Sequence, residues 1–347
     1  MYNYCCKALK KITGKGERMR YKIAILAAVT TFLTATIKYN IENNNSVTVV
    51  NQKIGIENLP KEFEGFTILQ VTDLHSKSFG ESQEGLIELI NGLKFDIIAI
   101  TGDMQNRQDK DYEKFIALLK GINNKEEIFY TPGNHGPMVY KDEVSFNSFT
   151  KRNINNYKGK DVISNNSNRS KDNLSNNNDI GERELTEAGI KMKELGVKFL
   201  DNVYSIKKGK EILWVSELIY SDEFNELAKG KYNENDIKLA LTHYPMNKRG
   251  YEGDIGKFLG RYDLVLAGHY HGGQWRIPYV GGIFIPDLNQ SGWFPSKERI
   301  SGLTKWGGFK QYVSRGIGAG GAVEILRFRF FNKPEINLIK LVKKTNL

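Results

Sequence analysis

VLAGHYHGGQW, residues 265–275, closes an apolar run with two histidines one residue apart, set between glycines. The run, YDLVLAG over Tyr262–Gly268, is short, rich in leucine and valine, and stopped by glycine. That pattern predicts a buried strand over Tyr262–Ala267. His269 and His271 follow its carboxyl end, which is where open α/β sheets bind their ligands. On extended backbone, residues i and i+2 project to one side, so the two imidazoles can aim at one point. Glycines beside them permit close approach and unusual φ/ψ. An isolated H-x-H is equally compatible with two polar turn residues at the surface, so the rest of the chain must decide.

The chain holds five histidines in 347 residues, and the other three recur in the same setting. His75 ends TILQVTDLH, His135 ends the apolar run of IFYTPGNHG, and His243 ends that of IKLALTHYP. A further run, DIIAITGD over Asp96–Asp103, ends in Gly102-Asp103. The same run ends supply Asp73, Asp103 and Asn134. Polar residues without a common role would scatter over helices and loops. Five strand ends carrying this set predict one site on one edge of a sheet in an α/β protein. Oxygen and imidazole donors without cysteine suit two divalent metal ions (Mn, Fe or Zn) better than a thiolate structural site. Two ions about 3.5–4 Å apart can clamp the attacking and leaving oxygens of a phosphoryl displacement and lower the pKa of a bound water.

Asp73-x-His75, Gly102-Asp103, Gly133-Asn134-His135, His243 and Gly268-His269-x-His271 occur in the order of the motifs of the calcineurin-like metallophosphoesterase superfamily. The chain resembles that superfamily from about Ile68 to its C-terminus. GHYHGGQWRIPYVGGIFIP (268–286), QYVSRGIGAG (311–320) and RFFNKPEINLIKL (329–341) look like its bacterial membrane-anchored or exported branch. That branch is similar to phosphodiesterases and UDP-2,3-diacylglucosamine pyrophosphatase-like enzymes. The resemblance implies a four-layer αββα sandwich. It implies that Asp73, His75, Asp103 and His271 hold a first metal, that Asp103 bridges, and that Asn134, His243 and His269 complete the second. A metal-bridging hydroxide would be the nucleophile. His135 would bind no metal and would act as general acid on the leaving oxygen. The family often carries Asp or Glu after its Asn-His pair, where this chain has Gly136, so an orienting partner for His135 must come from elsewhere. The implied activity is phosphodiesterase or pyrophosphatase, on a phosphoester or pyrophosphate substrate, lipid-linked substrates included. A phosphomonoesterase, or a metal-binding scaffold with little turnover, is the alternative.

The N-terminal region predicts a location. Lys7, Lys10, Lys11, Lys15, Arg18, Arg20 and Lys22 face Glu17 alone, and Ile23–Ile37 is uncharged and mostly apolar. The apolar stretch is shorter than the roughly 20 residues of an untilted span, but Tyr21 and Lys38–Ile41 can extend it by snorkelling. The expected organisation is a basic cytoplasmic tail over 1–22, a transmembrane anchor over 23–39, a linker over 40–53 and a catalytic domain over 54–347. The positive-inside bias places the catalytic domain outside the cytoplasm, anchored in membrane lipid as a single-pass protein. A cleaved signal peptide, with small residues near Ala35, is the competing reading.

The formal net charge of +10 is concentrated before the anchor, so nucleic acid is not implied as a partner. Both cysteines, Cys5 and Cys6, also precede it, which leaves the catalytic part no disulfide to form. The Asn- and Ser-rich stretch over 153–182 lacks apolar periodicity and is expected to be a disordered insertion. Before it the pattern reads β-α-β-α-β. After it, strands are expected over Val197–Tyr204, Glu211–Ser216, Ile237–Thr242, Ala322–Phe331 and Glu335–Val342. Asn289–Tyr312 mixes Trp293, Phe294, Trp306 and Phe309 with lysines and arginine. Core or loop packing and a lipid-touching lid are both open readings of it.

Overall fold

The computed structural model describes residues 2–106, 110–125, 127–141, 183–218, 224, 227–233, 236–246, 262–285, 292–306, 309–320 and 327–344. The insertion expected over 153–182 lies outside them, as do residues 322–326 of the strand expected there.

A long helix, α1 (Tyr2–Asn44), leads into β1 (Thr48–Ile56). There follow β2 (Thr67–Val71), α2 (Glu84–Asn91), β3 (Ile97–Ile100), α3 (Glu113–Gly121) and β4 (Ile128–Tyr130). After the insertion come α4 (Glu187–Glu194), β5 (Val197–Phe199), β6 (Tyr204–Lys208), β7 (Glu211–Glu217), β8 (Ile237–Leu241) and β9 (Leu264–Ala267). The C-terminal part holds β10 (Arg276–Ile277), β11 (Gly281–Gly282), the one-turn α5 (Lys297–Ile300), β12 (Gly302–Trp306), β13 (Phe309–Val313) and β14 (Glu335–Lys343).

The strands form two six-stranded mixed sheets, ordered β1-β14-β2-β3-β4-β5 and β12-β13-β9-β8-β7-β6. β2, β3, β4 and β5 run parallel, as do β7, β8, β9 and β13. Alternate residues explain how the sheets stack, because side chains on a strand point to opposite faces. Ile68, Ile97, Ala99 and Phe129 from the first sheet share one buried cluster with Leu239, Leu241, Leu264 and Leu266 from the second. Their neighbours Leu69, Val71, Ile98, Ile100 and Tyr130 face the other way, onto Leu86 and Ile90 of α2 and Phe115 and Leu119 of α3. The outer face of the second sheet, through Trp214, Ala240 and Val265, meets Phe224 and Ala228. Strands covered on both faces read as unbroken apolar runs rather than alternating ones, and IIAI and LVLA are such runs.

Two of the expected strands need correction. The run Val197–Tyr204 is not one strand: β5 ends at Phe199 in the first sheet and β6 begins at Tyr204 in the second. Asp201 and Asn202, both turn formers, sit at the crossing. In the expected strand over Ala322–Phe331, the described residues 327–331 make only a single bridge, Phe330 to Trp275. Of the open readings for Trp293 and Phe294, core packing is excluded, since they are 64% and 61% exposed; Trp293 touches Phe284 at the surface.

The segment read as a linker over 40–53 is instead ordered. α1 continues through Asn44, and β1 starts at Thr48. The asparagines that suggest a loop make tertiary contacts. Asn40 is buried, and its Oδ1 accepts from the Phe331 amide at 2.6 Å. Asn44 pairs twice with the Arg329 backbone, donating to its carbonyl at 2.6 Å and accepting from its amide at 2.9 Å. Tertiary hydrogen bonds of this kind override the weak helix propensity of asparagine. The Asn44→Ala variant should therefore unfold more easily by about 1–3 kcal/mol, the worth of two part-buried hydrogen bonds. Denaturant unfolding of the full chain in detergent measures it, and an unchanged midpoint would mean that the helix end is only laid against the domain.

Candidate metal centre

β2, β3 and β4 lie side by side in the first sheet, and β8 and β9 lie side by side in the second. All five are parallel to their neighbours within this group, so their carboxyl ends meet along one edge. The residues singled out from sequence sit in the turns past those ends: Asp73 and His75 after β2, Asp103 after β3, Asn134 and His135 after β4, His243 after β8, and His269 and His271 after β9. The structure brings all eight together.

The backbone there is unusual. Asp73, His75, Asp103, His269 and His271 all have positive φ, at 54°, 49°, 53°, 78° and 50°. Non-glycine residues rarely adopt this region, and Asp and His do so more readily than most. Such conformations persist where the surroundings over-determine them. Glycine supplies the space between the turns. A Cβ on Gly133 would lie 2.0 Å from Asp103 Oδ1 and 2.6 Å from the Asp103 amide. Only a hydrogen at that position lets the β4 turn close on the β3 turn.

Three groups of donor atoms result, each with its atoms within 4.8 Å of one another: Asp73, His75 and His271; His75, Asp103 and His135; and Asp103, His243 and His269. In the first, His75 Nε2 faces His271 Nε2 at 3.2 Å, and Asp73 Oδ1 lies 3.9 Å and 3.8 Å from the two rings. In the third, His243 Nε2 lies 3.2 Å from Asp103 Oδ2, 3.1 Å from His269 Nδ1 and 3.1 Å from Asn134 Oδ1. His75 and His135 approach the same Asp103 oxygen at 3.7 and 3.9 Å. Asp103 thus stands between the groups.

Burial sets the electrostatics. It pushes Asp73 up to about 6, helped by the Asp103 charge and opposed by His243. It also raises Asp103, but there the attraction and hydrogen bond of His243 win, and the carboxyl stays well below the usual range. Burial pulls His75 down to about 4 against the pull of Asp103, and drives His271 well below the ordinary imidazole value. His243 shifts the other way. Burial lowers it, yet Asp103 outweighs burial and lifts it to about 9. His75 and His271 are therefore neutral at pH 7, with lone pairs and carboxylate oxygens gathered around one point. That donor set fits divalent cations, which supply the missing positive charge. The His243 Nδ1, 2.8 Å from the Thr101 carbonyl, is fixed as a donor there, which turns Nε2 toward the site.

Sequence reading missed the groups behind these residues. Thr72 Oγ1 donates to Asp73 Oδ2 at 2.8 Å. Arg329 is wholly buried and donates to the carbonyls of Asn332, Gly318, Arg315 and His271. Asn332 Nδ2 also donates to the His271 carbonyl, at 2.7 Å. An arginine inside the apolar run ILRFRFF was the available signal, but its partners are distant in sequence.

A profile of the calcineurin-like phosphoesterase family matches residues 66–273. Among individual proteins, the chain is 27% identical over 303 residues to the uncharacterized metallophosphoesterase YkuE of Bacillus subtilis, covering 83% of this chain and 82% of that protein. It is 25% identical over 294 residues to the uncharacterized metallophosphoesterase Cj0846 of Campylobacter jejuni, covering 84% of this chain and 62% of that one. Over 105 residues it is 31% identical to phosphodiesterase YaeI of Escherichia coli, or 30% of this chain and 32% of that protein.

The contact between the β3 and β4 turns is open to test. Gly133→Ala forces the Asp103 carboxylate from its place, so manganese binding measured by titration calorimetry should weaken at least about tenfold, in line with disturbed orientation of a ligand. Binding at full strength would show that Asp103 has room to move.

Proposed function

The chain belongs to the calcineurin-like phosphoesterase family and is a phosphoric ester hydrolase, and from that premise we propose a dinuclear enzyme that cleaves phosphodiester or pyrophosphate bonds at a membrane surface. The observation that carries this reading is the place of Asp103, whose carboxylate lies within ligand reach of both the His75 side and the His243–His269 side. In the proposed arrangement Asp73, His75, Asp103 and His271 hold one ion. Asp103, Asn134, His243 and His269 hold the other. Bound divalent ions would supply Lewis-acid charge for the phosphoryl oxygens and lower the pKa of a bound water.

The chain's own residues do the rest. His135 is the histidine proposed to meet the substrate. Its side chain is 16% exposed, where those of His75 and His243 are 1% exposed. It would donate its proton to the leaving oxygen as the P–O bond breaks. Gly136 does not weaken that role in the way an absent carboxylate suggests. Its φ is +89°, and a Cβ there would sit 2.8 Å from the Met138 amide, so no side chain fits without strain. His135 is held through its main chain instead. Its amide donates to Asp103 Oδ1 at 2.7 Å, its carbonyl accepts from Gln105 Nε2 at 2.8 Å, and its ring meets His75 edge-on at 5.0 Å.

Residues Arg18–Asn44 form a helix long and apolar enough to cross a membrane. Ile23, Leu26, Phe32 and Leu33 are all more than half exposed. Such a surface suits lipid rather than water. We place the basic end of α1 in the cytoplasm and the catalytic domain on the far side.

Manganese-dependent hydrolysis of bis(p-nitrophenyl) phosphate separates an enzyme from an inert metal-binding scaffold. Elemental analysis of the manganese-reconstituted chain should find about two ions, and Asp103→Asn should retain about one or fewer with nearly all turnover gone. Two ions and full activity in that variant would remove Asp103 from the bridge. His135→Ala should keep both ions while slowing turnover by about 10²–10⁴. The loss should be greater for an alkoxide leaving group than for p-nitrophenolate, which departs without a proton. Equal losses on both would make His135 a positioning residue.

A further inference from the structure

His271 opens a run of four residues with positive φ: 50° at His271, 63° at Gly272, 77° at Gly273 and 39° at Gln274. Side chains other than glycine disfavour that region, so the turn persists only where its surroundings fix it. Within the turn, the Gln274 amide donates to the His271 carbonyl at 3.1 Å and the Gly273 amide to the Tyr270 carbonyl at 2.7 Å. The other donors on the His271 carbonyl come from 58 and 61 positions further along the chain. They are Arg329 Nη2 at 3.1 Å and Asn332 Nδ2 at 2.7 Å.

The Arg329 guanidinium is wholly buried, and its nitrogens go to backbone. Nε donates to the Asn332 carbonyl at 2.8 Å, Nη1 to that of Gly318 at 2.6 Å, and Nη2 also to that of Arg315 at 2.8 Å. A buried cation is costly unless its donors are satisfied, and a carbonyl for each nitrogen meets that need. Arg315 and Gly318 belong to the turn after β13, which lies on the turn after β2. The Ile317 amide donates to the Thr72 carbonyl at 3.1 Å, and the Gly318 amide to that of Asp73 at 2.6 Å. The fit has no slack: a Cβ on Gly318 would lie 2.2 Å from the Leu74 carbonyl oxygen. Arg329 thus stands between the two turns that supply Asp73, His75 and His271. The Asp103–His243–His269 group has supports of its own, the Thr101 carbonyl under His243 Nδ1 and the His135 amide on Asp103. The two groups touch where the His269 amide lies 3.2 Å from the Asp73 carboxylate.

We propose that Arg329 is a positioning residue for one half of the metal centre: it locks the His271 turn against the Asp73 turn and so sets the Asp73–His75–His271 group, while the Asp103–His243–His269 group stands without it. The proposal rests on the dinuclear reading of the site. Arginine suits the task because its planar fork presents five donors in fixed directions, where lysine offers one flexible point charge. The fork reaches three separate stretches of backbone at once. Arg329 is in turn clasped by Asn44 of α1 through its own amide and carbonyl.

The test uses the full chain in detergent and two readouts. The first is amide hydrogen exchange of the metal-free chain. In Arg329→Met, exchange over residues 268–277 should rise by about tenfold or more, with residues 97–103 and 237–243 unchanged. The second is manganese titration followed by electron paramagnetic resonance. One of two ions should weaken by about tenfold to a hundredfold, the usual effect of losing a group that orients a ligand, and the other by no more than about threefold. In a His271→Ala chain, whose first group is already broken, Arg329→Met should change manganese binding by less than about threefold. Arg329→Lys should recover only part of the lost affinity; full recovery would mean that charge alone suffices and would overturn the proposal. Equal weakening of both ions, or exchange that rises alike over the three stretches, makes Arg329 a general structural residue and also overturns it. Should Arg329→Met not fold, Asn332→Leu, which removes a donor to the same carbonyl and leaves the guanidinium, decides on the same two readouts. If the wild-type chain binds fewer than two ions, the dinuclear reading fails by itself, and exchange at 268–277 in the metal-free chain still decides whether Arg329 holds the turn.

Discussion

The Asp103 carboxylate is the contact on which the rest of the structure depends. It is almost completely buried, and its two oxygens serve different partners. Oδ1 takes the His135 amide, while Oδ2 lies near the rings of His75, His135 and His243. An uncompensated charge at that depth costs several kcal/mol. Positive charge and donors must therefore reach it from every side, and no single sheet can supply them. β2 and β4 flank it in the first sheet, and His243 and His269 arrive from the second. The stacking of the two sheets is what closes the ring. The left-handed turns at Asp73, His75, Asp103, His269 and His271 are the local cost of bringing so many side chains to one point.

The same carboxylate sorts the histidines. His243 and His75 are both buried and burial lowers both, yet Asp103 outweighs it at His243, lifting that ring to about 9, and fails to at His75, which stays at about 4. Distance explains part of the difference: 3.2 Å for His243 against 3.7 Å for His75. His243 also gives a hydrogen bond to the Thr101 carbonyl, and the nearby Asp73 charge favours its cation. His75 instead faces other imidazoles and Arg329, which disfavour a proton. Asp103 thus favours the cation at His243, while burial favours the neutral ring at His75.

How much of this could be read from the chain depended on the range of the interaction. The turns past β2, β3, β4, β8 and β9 each carry a short motif after an apolar run, and strand geometry alone places their side chains on one edge. All eight residues named from sequence meet there for that reason. Val197–Tyr204 failed because an apolar run does not say which of two sheets each half will join. Asn40–Asn44 failed for a related cause. Asparagine has low helix propensity, and the partners that hold these residues helical, Arg329 and Phe331, lie some 290 positions away. Arg329 was overlooked because a buried guanidinium acting on carbonyls leaves no motif.

Those two oversights are one feature. Asn44 grips the backbone of Arg329 from the helix side. The Arg329 guanidinium grips the carbonyl of His271 from the domain side, with Asn332 on the same oxygen. The apolar helix is therefore two hydrogen-bonded steps from a residue of the metal centre. A flexible tether would need no such contacts. A docked helix fixes the distance and tilt of the centre relative to the point where the apolar stretch ends. The buried Asn40 and the half-buried Asn44, at positions where an exposed helix end would carry solvated charge, are the residues that hold it.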